Sequence, residues 1–256
     1  MAAPSPPGDN PLGLARELAR RVILGAFAAH AGLIDLLKKE VPIAPDLKEL
    51  AEVQERARPR TDISDHLVTL FTESLPLRPK LIVELGVRGG ESTFVFERVA
   101  RLCGSDLLSL DLDDCSAVIN YDKWHFVRAD DVEFAGRFAE WCRSRGIEPA
   151  IDVLFIDTSH IYEHTLAEIR AWFPLVGPRG KVFFHDTNQR HIYRRRDGSF
   201  GLAWTNDRGV IRALEDYFQH PFNEGVNFTD TRDGWLIEHH AYCSGMTMLT
   251  RVPTGK

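Results

Sequence analysis

Apolar positions change their period along the chain. From Leu12 to about Lys39, Leu14, Leu18, Val22, Leu24, Phe27, Leu33 and Leu37 recur at helical spacing. This predicts one or two amphipathic helices, with a break near Gly32. A charged, polar stretch follows at Glu49–Arg60, and Ile63–Leu75 then predicts another helix with Asp62 as its cap. Short apolar runs next alternate with helical patterns. Leu81–Leu85, Asp106–Leu110, His125–Arg128, Val153–Ile156 and Lys181–Phe184 read as strands. Ser92–Leu102, Phe134–Arg145 and Tyr162–Phe173 read as the helices between them, with Val210–Tyr217 as a last helix. That alternation predicts a mostly parallel sheet with helices on both faces, an α/β fold. Val226–Asp230, Trp235–His239 and Met246–Arg251 are β-like, and Asp233-Gly234 is a hairpin turn signal, so antiparallel strands finish the sheet. The expected organisation is a Pro-rich disordered tail at 1–11, an N-terminal helical extension at 12–60 and one α/β domain at 61–256.

Composition narrows the functional classes. Across 256 residues, 44% are hydrophobic and 27% charged, as in ordinary globular chains. A net charge of −6 argues against a nucleic-acid partner, which needs a basic surface to neutralise phosphates. The four cysteines (Cys103, Cys115, Cys142, Cys243) form no CxxC pair, which fits a reducing cytoplasm without disulfides or a cysteine zinc site. No secretory signal is legible near Met1. The longest apolar stretch, Val22–Ala31, is short of the ~20 residues that span a bilayer, so no membrane partner is expected.

Three strand ends carry chemistry. Glu84-Leu85-Gly86-Val87-Arg88-Gly89-Gly90-Glu91-Ser92 runs from a buried strand through a glycine-rich turn into a helix. Glycines let the backbone approach a ligand, and the helix start suits an anionic or carboxylate-bearing one. The glycine spacing is neither the dinucleotide GxGxxG nor a P-loop. Asp111 ends the second strand, where an acid can bond ribose hydroxyls, and Asp113 and Asp114 crowd the same place. Asp130 or Asp131 follows the third strand. Either acid is equally at home as a helix cap.

The strand–Glu-Leu-Gly-x-x-x-Gly turn and the later acids resemble class I S-adenosylmethionine-dependent methyltransferases. The stretch Ile156-Asp157-Thr158-Ser159-His160-x-Tyr162, continuing through Trp172-x-Pro174-Leu175-x-x-Pro178-x-Gly180 to Phe184-His185-Asp186-Thr187, is more specific. It is similar to the small-molecule O-methyltransferase group containing the cephalosporin-hydroxylase-like and macrolide-sugar enzymes, and more distantly to the catechol type. The likeness covers about residues 63–220. It implies a Rossmann-like, seven-stranded sheet of order 3-2-1-4-5-7-6. It also implies that Glu84, Gly86, Arg88, Gly90 and Ser92 surround the methionine end of S-adenosylmethionine, with Asp111 at the ribose and Asp130 at the adenine. Asp157 and Asp186 would hold Mg²⁺ or the acceptor hydroxyl, with Thr187 where metal-dependent relatives have a further Asp or Asn. A neutral oxygen there is a weaker ligand, although Mg²⁺ needs only one or two carboxylates.

The implied reaction is methyl transfer to a hydroxyl of a small molecule, a sugar or other natural-product intermediate. His160 is the candidate base, since an imidazole with pKa near ~6.5 suits proton removal at neutral pH. Its alternative is a structural histidine capping the next helix. His185 is a second candidate base or ligand. The run Arg190–Arg196 is either a solvated basic loop or a partner for an acidic acceptor. Competing readings are an NAD(P)-dependent oxidoreductase on a similar sheet and a catalytically inactive cofactor-binding protein. A homo-oligomer is expected.

Overall fold

The apolar runs assemble in the computed structural model, which describes residues 11–37 and 46–252, into one large twisted sheet. Its parallel half comprises β1 (Leu81–Leu85), β2 (Asp106–Asp111), β3 (Trp124–Arg128), β4 (Ile151–Ile156) and β5 (Val176–His185). A small separate hairpin, β6 (Ile192–Arg194) with β7 (Phe200–Leu202), follows β5. The chain then returns through β8 (Phe228–Arg232), β9 (Trp235–His240) and β10 (Met246–Arg251). The main sheet runs β3-β2-β1-β4-β5-β10-β9-β8. This is the expected 3-2-1-4-5-7-6 order with one further strand, β8, at the outer edge. The turn Asp233-Gly234, with φ of 47° and 77°, closes β8 against β9, as a two-residue hairpin requires.

Successive residues of a strand face opposite sides, and both sides of this sheet are apolar. On β5, Phe184 packs with Trp172, Phe173 and Leu214 on one face, and Phe183 packs with Phe71, Phe96 and Phe155 on the other. Helices α1 (Pro11–Leu37), α2 (Lys48–Arg56), α3 (Ser64–Ser74), α4 (Glu91–Cys103), α5 (Asp131–Ala135), α6 (Phe138–Arg143), α7 (Tyr162–Trp172) and α8 (Gly209–Phe218) complete the architecture. Helices α3 and α4 supply the second face, and α7 and α8 the first.

Several local readings change. Helix α1 is continuous through Gly32 instead of breaking there. It meets the rest of the fold through Phe27 and His30 against Phe200, and through Asp35 paired with Arg60. Its Leu14, Leu18 and Val22 are exposed. The polar stretch after it contains α2, whose single fully buried side chain, Val53, joins the core beside Leu67 and Phe71. The expected helix Phe134–Arg145 is two short helices separated near Gly136. The basic loop after β5 holds strand β6. The expected tail at 1–11 lies outside the described residues except for Pro11, which opens α1. No described helix is long and apolar enough to cross a membrane.

Candidate active site

The carboxyl ends of β1, β2, β4 and β5 lie side by side, because these strands are neighbours in a parallel sheet. Ligands bind outside such ends in open α/β sheets. The turn after β1 is drawn tightly against β4. Asp157 N–H donates to Leu85 O at 2.9 Å, and a β-carbon on Gly86 would lie 2.1 Å from the Asp157 carbonyl oxygen. With φ of +89°, only glycine is at ease there. Gly89 faces open space, with nothing within 4 Å of a β-carbon position.

Glu84 is fully buried behind this turn. Its carboxylate accepts hydrogen bonds from Ser92 Oγ (2.6 Å), Thr93 Oγ1 (2.9 Å) and Ser109 Oγ (2.7 Å). Burial pushes its pKa up to about 7, against the pull of those three hydroxyls. Glu84 and Ser92 therefore bond one another and fasten β1 to the start of α4. Asp111 also serves the turn. Its Oδ2 accepts from the N–H groups of Val87 (2.8 Å) and Arg88 (3.0 Å), and its Oδ1 from Asp113 N–H (2.9 Å). Burial opposes the charge, but these backbone donors hold Asp111 below its ordinary value. The Arg88 side chain reaches Asp62 (3.3 Å), and Gly90 caps α4 with φ of 78°. Asp130 caps α5 by accepting from Glu133 N–H (2.9 Å), while its neighbour Asp131 pairs with His164 (3.1 Å).

The second cluster joins β4 to β5. His160 Nε2 lies 2.9 Å from Asp157 Oδ1 and 3.2 Å from Asp186 Oδ2. His185 Nδ1 lies 3.3 Å from Asp157 Oδ1 and 3.2 Å from Asp186 Oδ1. Burial opposes charge on both imidazoles, and the two carboxylates overcome it. They raise His160 and push His185 up to about 10. Asp157, despite burial, is held well below the usual carboxylate range by His185 and His160, whereas burial raises Asp186. His160 and Asp186 both adopt left-handed backbone, with φ of 59° and 57°. Two strained non-glycine residues facing each other mark a place where the surrounding structure imposes geometry.

Asp157, His160 and Asp186 each offer a ligand atom, all within 4.8 Å of one another. Asp186 Oδ1 is buried without a hydrogen-bond partner. Two converging carboxylates, one with an oxygen that makes an ion-pair contact to His185 but no hydrogen bond, suit a hard divalent cation. The Thr187 hydroxyl lies 3.4 Å from His239 Nδ1, so the third group brought to the carboxylate pair is the His160 imidazole.

Two residues of this neighbourhood carried no signal in the sequence. His66 on α3 is fully buried, edge-on to His185 at 5.5 Å and stacked on Tyr242 at 5.2 Å. Burial, reinforced by the His185 charge, keeps it far below its ordinary pKa. Trp204, 53% exposed, has its ring centroid 5.5 Å from that of His160. One buried aromatic-like ring and one exposed ring thus flank the cluster on different elements.

Residues 83–187 match the family described as a methyltransferase domain. An uncharacterized protein of Sinorhizobium fredii is 29% identical over 194 residues, covering 64% of this chain. The chain spans about a fifth of that relative's length, 21%. The fold also resembles the MycE methyltransferase of the mycinamycin biosynthetic pathway, solved with Mg, SAH and mycinamycin VI. The TM-score is 0.51 and the identity 21%, over 82% of this chain and 57% of that one. The SAH-bound methyltransferase PaMTH1 of Podospora anserina gives a TM-score of 0.50 at 15% identity, over 98% and 99% of the two chains. Likeness at these identities establishes the shared fold.

Proposed function

We propose that this chain is a class I methyltransferase that transfers the methyl group of S-adenosylmethionine to a hydroxyl of a small molecule, a sugar or other natural-product intermediate, with a Mg²⁺-assisted site at β4 and β5. The observation that carries the reading is the abutment of two differently built sites. The glycine turn touches the backbone of Asp157, and the side chain of Asp157 converges with His160 and Asp186. A cofactor held at the first site would therefore present its reactive end to the second. The MycE structure, which holds Mg, SAH and mycinamycin VI together on the same fold, supports the assignment of class and acceptor.

Bound S-adenosylmethionine supplies a methyl on a positively charged sulfur, and a divalent cation between the carboxylates would lower the pKa of an acceptor hydroxyl. The residues of the chain do the rest. The open space over Gly89 and the start of α4 receives the methionine end, and Asp111, anchored by the turn's own N–H groups, faces the ribose. Asp157 and Asp186 would hold the cation. His160 keeps Nε2 toward the two carboxylates, which leaves Nδ1 as the nitrogen able to take the acceptor's proton. Trp204 offers an exposed ring beside His160 on which the acceptor's apolar face stacks.

The test is methyl release from labelled cofactor to a panel of glycosides and phenols, with and without EDTA, in the wild type and in His160→Ala. Removal of a general base costs about 10²–10⁴ in rate. The variant should lose turnover in that range while still binding S-adenosylhomocysteine. Turnover and binding both intact would remove His160 from the chemistry.

A further inference from the structure

The basic segment after β5 divides into two functions by strand alternation. Arg195 points inward and is buried. It donates to the carbonyl oxygens of Phe200 (2.6 Å) and Arg60 (3.1 Å) and to the Tyr193 hydroxyl (3.0 Å), locking the β6–β7 hairpin onto the chain ahead of α3. Arg190, Arg194 and Arg196 point outward. With the largely buried Arg195 and with Asn188, Asn227 and Tyr242 they line a cleft of about 840 Å³ whose wall, among the described residues, contains no Asp or Glu. In a chain of net charge −6, four arginines around one opening, three of them exposed, are a local reversal of sign.

The arginines are also held in place. Arg196 stacks over the Tyr242 ring at 4.5 Å. Arg190 Nε donates to Asn188 Oδ1 at 3.1 Å, and its nearest carboxylate is Glu224 at 3.8 Å. Arg194 makes no ion pair among the described residues. Asn188 lies two residues beyond Asp186, and Tyr242 in the cleft wall stacks on His66, whose ring is edge-on to His185, so the cleft connects to the strand-end cluster through these rings. Guanidinium forks match phosphate and carboxylate oxygens, and clustered positive charge with one distant counter-ion, Glu224 at 3.8 Å from Arg190, favours an anionic ligand.

We propose that this cleft binds an acidic group of the methyl acceptor, a phosphate or a carboxylate, while the acceptor's hydroxyl reaches Asp157, Asp186 and His160. The inference rests on the methyltransferase reading and narrows its acceptor to an acidic one. The test is calorimetric titration of the S-adenosylhomocysteine-treated protein with pyrophosphate, glucuronate and glucose, in the wild type, Arg194→Glu and the milder Arg190→Gln/Arg194→Gln pair. One or both anions should bind and glucose should not, with the better anion naming the group. Each variant should weaken anion binding about tenfold or more, the worth of a lost charged hydrogen bond, at unchanged thermal stability. Failure of both anions to bind, or variants within threefold of the wild type, would overturn the proposal. The homocysteine titration separates the two claims. Anion binding without it leaves the cleft standing and removes the methyltransferase reading, and the converse removes only the cleft.

Discussion

A single methyl group added at Gly86 tests how the two halves of the site are joined. In Gly86→Ala the new β-carbon would lie 2.1 Å from Asp157 O and 2.8 Å from Asp157 C, in a backbone with φ of +89°. Left-handed backbone costs alanine roughly 1–2 kcal/mol. The overlap is with main chain, so no rotamer relieves it, and forced displacement of packed backbone adds about 1–3 kcal/mol. A loss of about 2–5 kcal/mol corresponds to a fall in melting temperature on the order of 10 °C for a domain of this size. Two neighbours are built-in controls. At Gly89 a β-carbon meets nothing within 4 Å, so Gly89→Ala should stay within about 0.5 kcal/mol of the wild type. At Gly90 the obstacle is the Val118 side chain at 2.0 Å, with φ of +78°, so Gly90→Ala should be destabilised and partly rescued by Val118→Ala. Thermal and urea unfolding give the stabilities, and S-adenosylhomocysteine titration gives the function. Gly89→Ala should keep stability and lose affinity, because its β-carbon enters the space assigned to the ligand. Equal stability of Gly86→Ala and Gly89→Ala would refute the abutment of turn and β4.

Other expectations follow from the same geometry. Because the folded pKa of Glu84, about 7, exceeds its ordinary 4.5, the native state binds more protons between those values, so Glu84 makes stability fall as pH rises through that window. The ionised form costs about 3 kcal/mol; urea unfolding at pH 5 and pH 8 should show Glu84→Gln losing that part of the slope, and parallel profiles would contradict it. Trp204→Ala should raise KM for the acceptor about three- to tenfold, the scale of one aromatic contact, with cofactor affinity unchanged. Asp157→Asn and Asp186→Asn should each abolish Mn²⁺ binding measured by calorimetry, whereas Thr187→Val should not, since its hydroxyl is turned to His239. Retained Mn²⁺ binding in both Asp variants would place the cation elsewhere.

Strands β1, β2, β4 and the second half of β5 were legible because both faces of each are largely buried and they read as apolar runs, and the site acids were legible because they terminate those runs. Asp157, His160 and Asp186 occupy adjacent strand ends, so sequence order and spatial order coincide there. Periodicity was weaker wherever burial is slight. Helix α2 hid inside a charged stretch because Val53 is its one fully buried residue. In α1 the spacing predicted a helix, but not that Leu14, Leu18 and Val22 would stay exposed. The role of Glu84 was beyond a linear reading, since it depends on three hydroxyl donors that folding brings up, whereas Asp130 takes the helix-cap alternative the sequence offered, through the Glu133 amide. His66 and Trp204 reach the cluster from α3 and from a loop before α8, and no local pattern marks either.

The account stands on the glycine turn and its neighbours holding S-adenosylmethionine. Calorimetric titration of the purified chain with S-adenosylhomocysteine, beside NAD under the same conditions, measures this directly. Saturable one-to-one binding of S-adenosylhomocysteine, weakened in Asp111→Asn and Gly89→Ala, with no heat from NAD, is the predicted result. Binding of NAD without S-adenosylhomocysteine would contradict it.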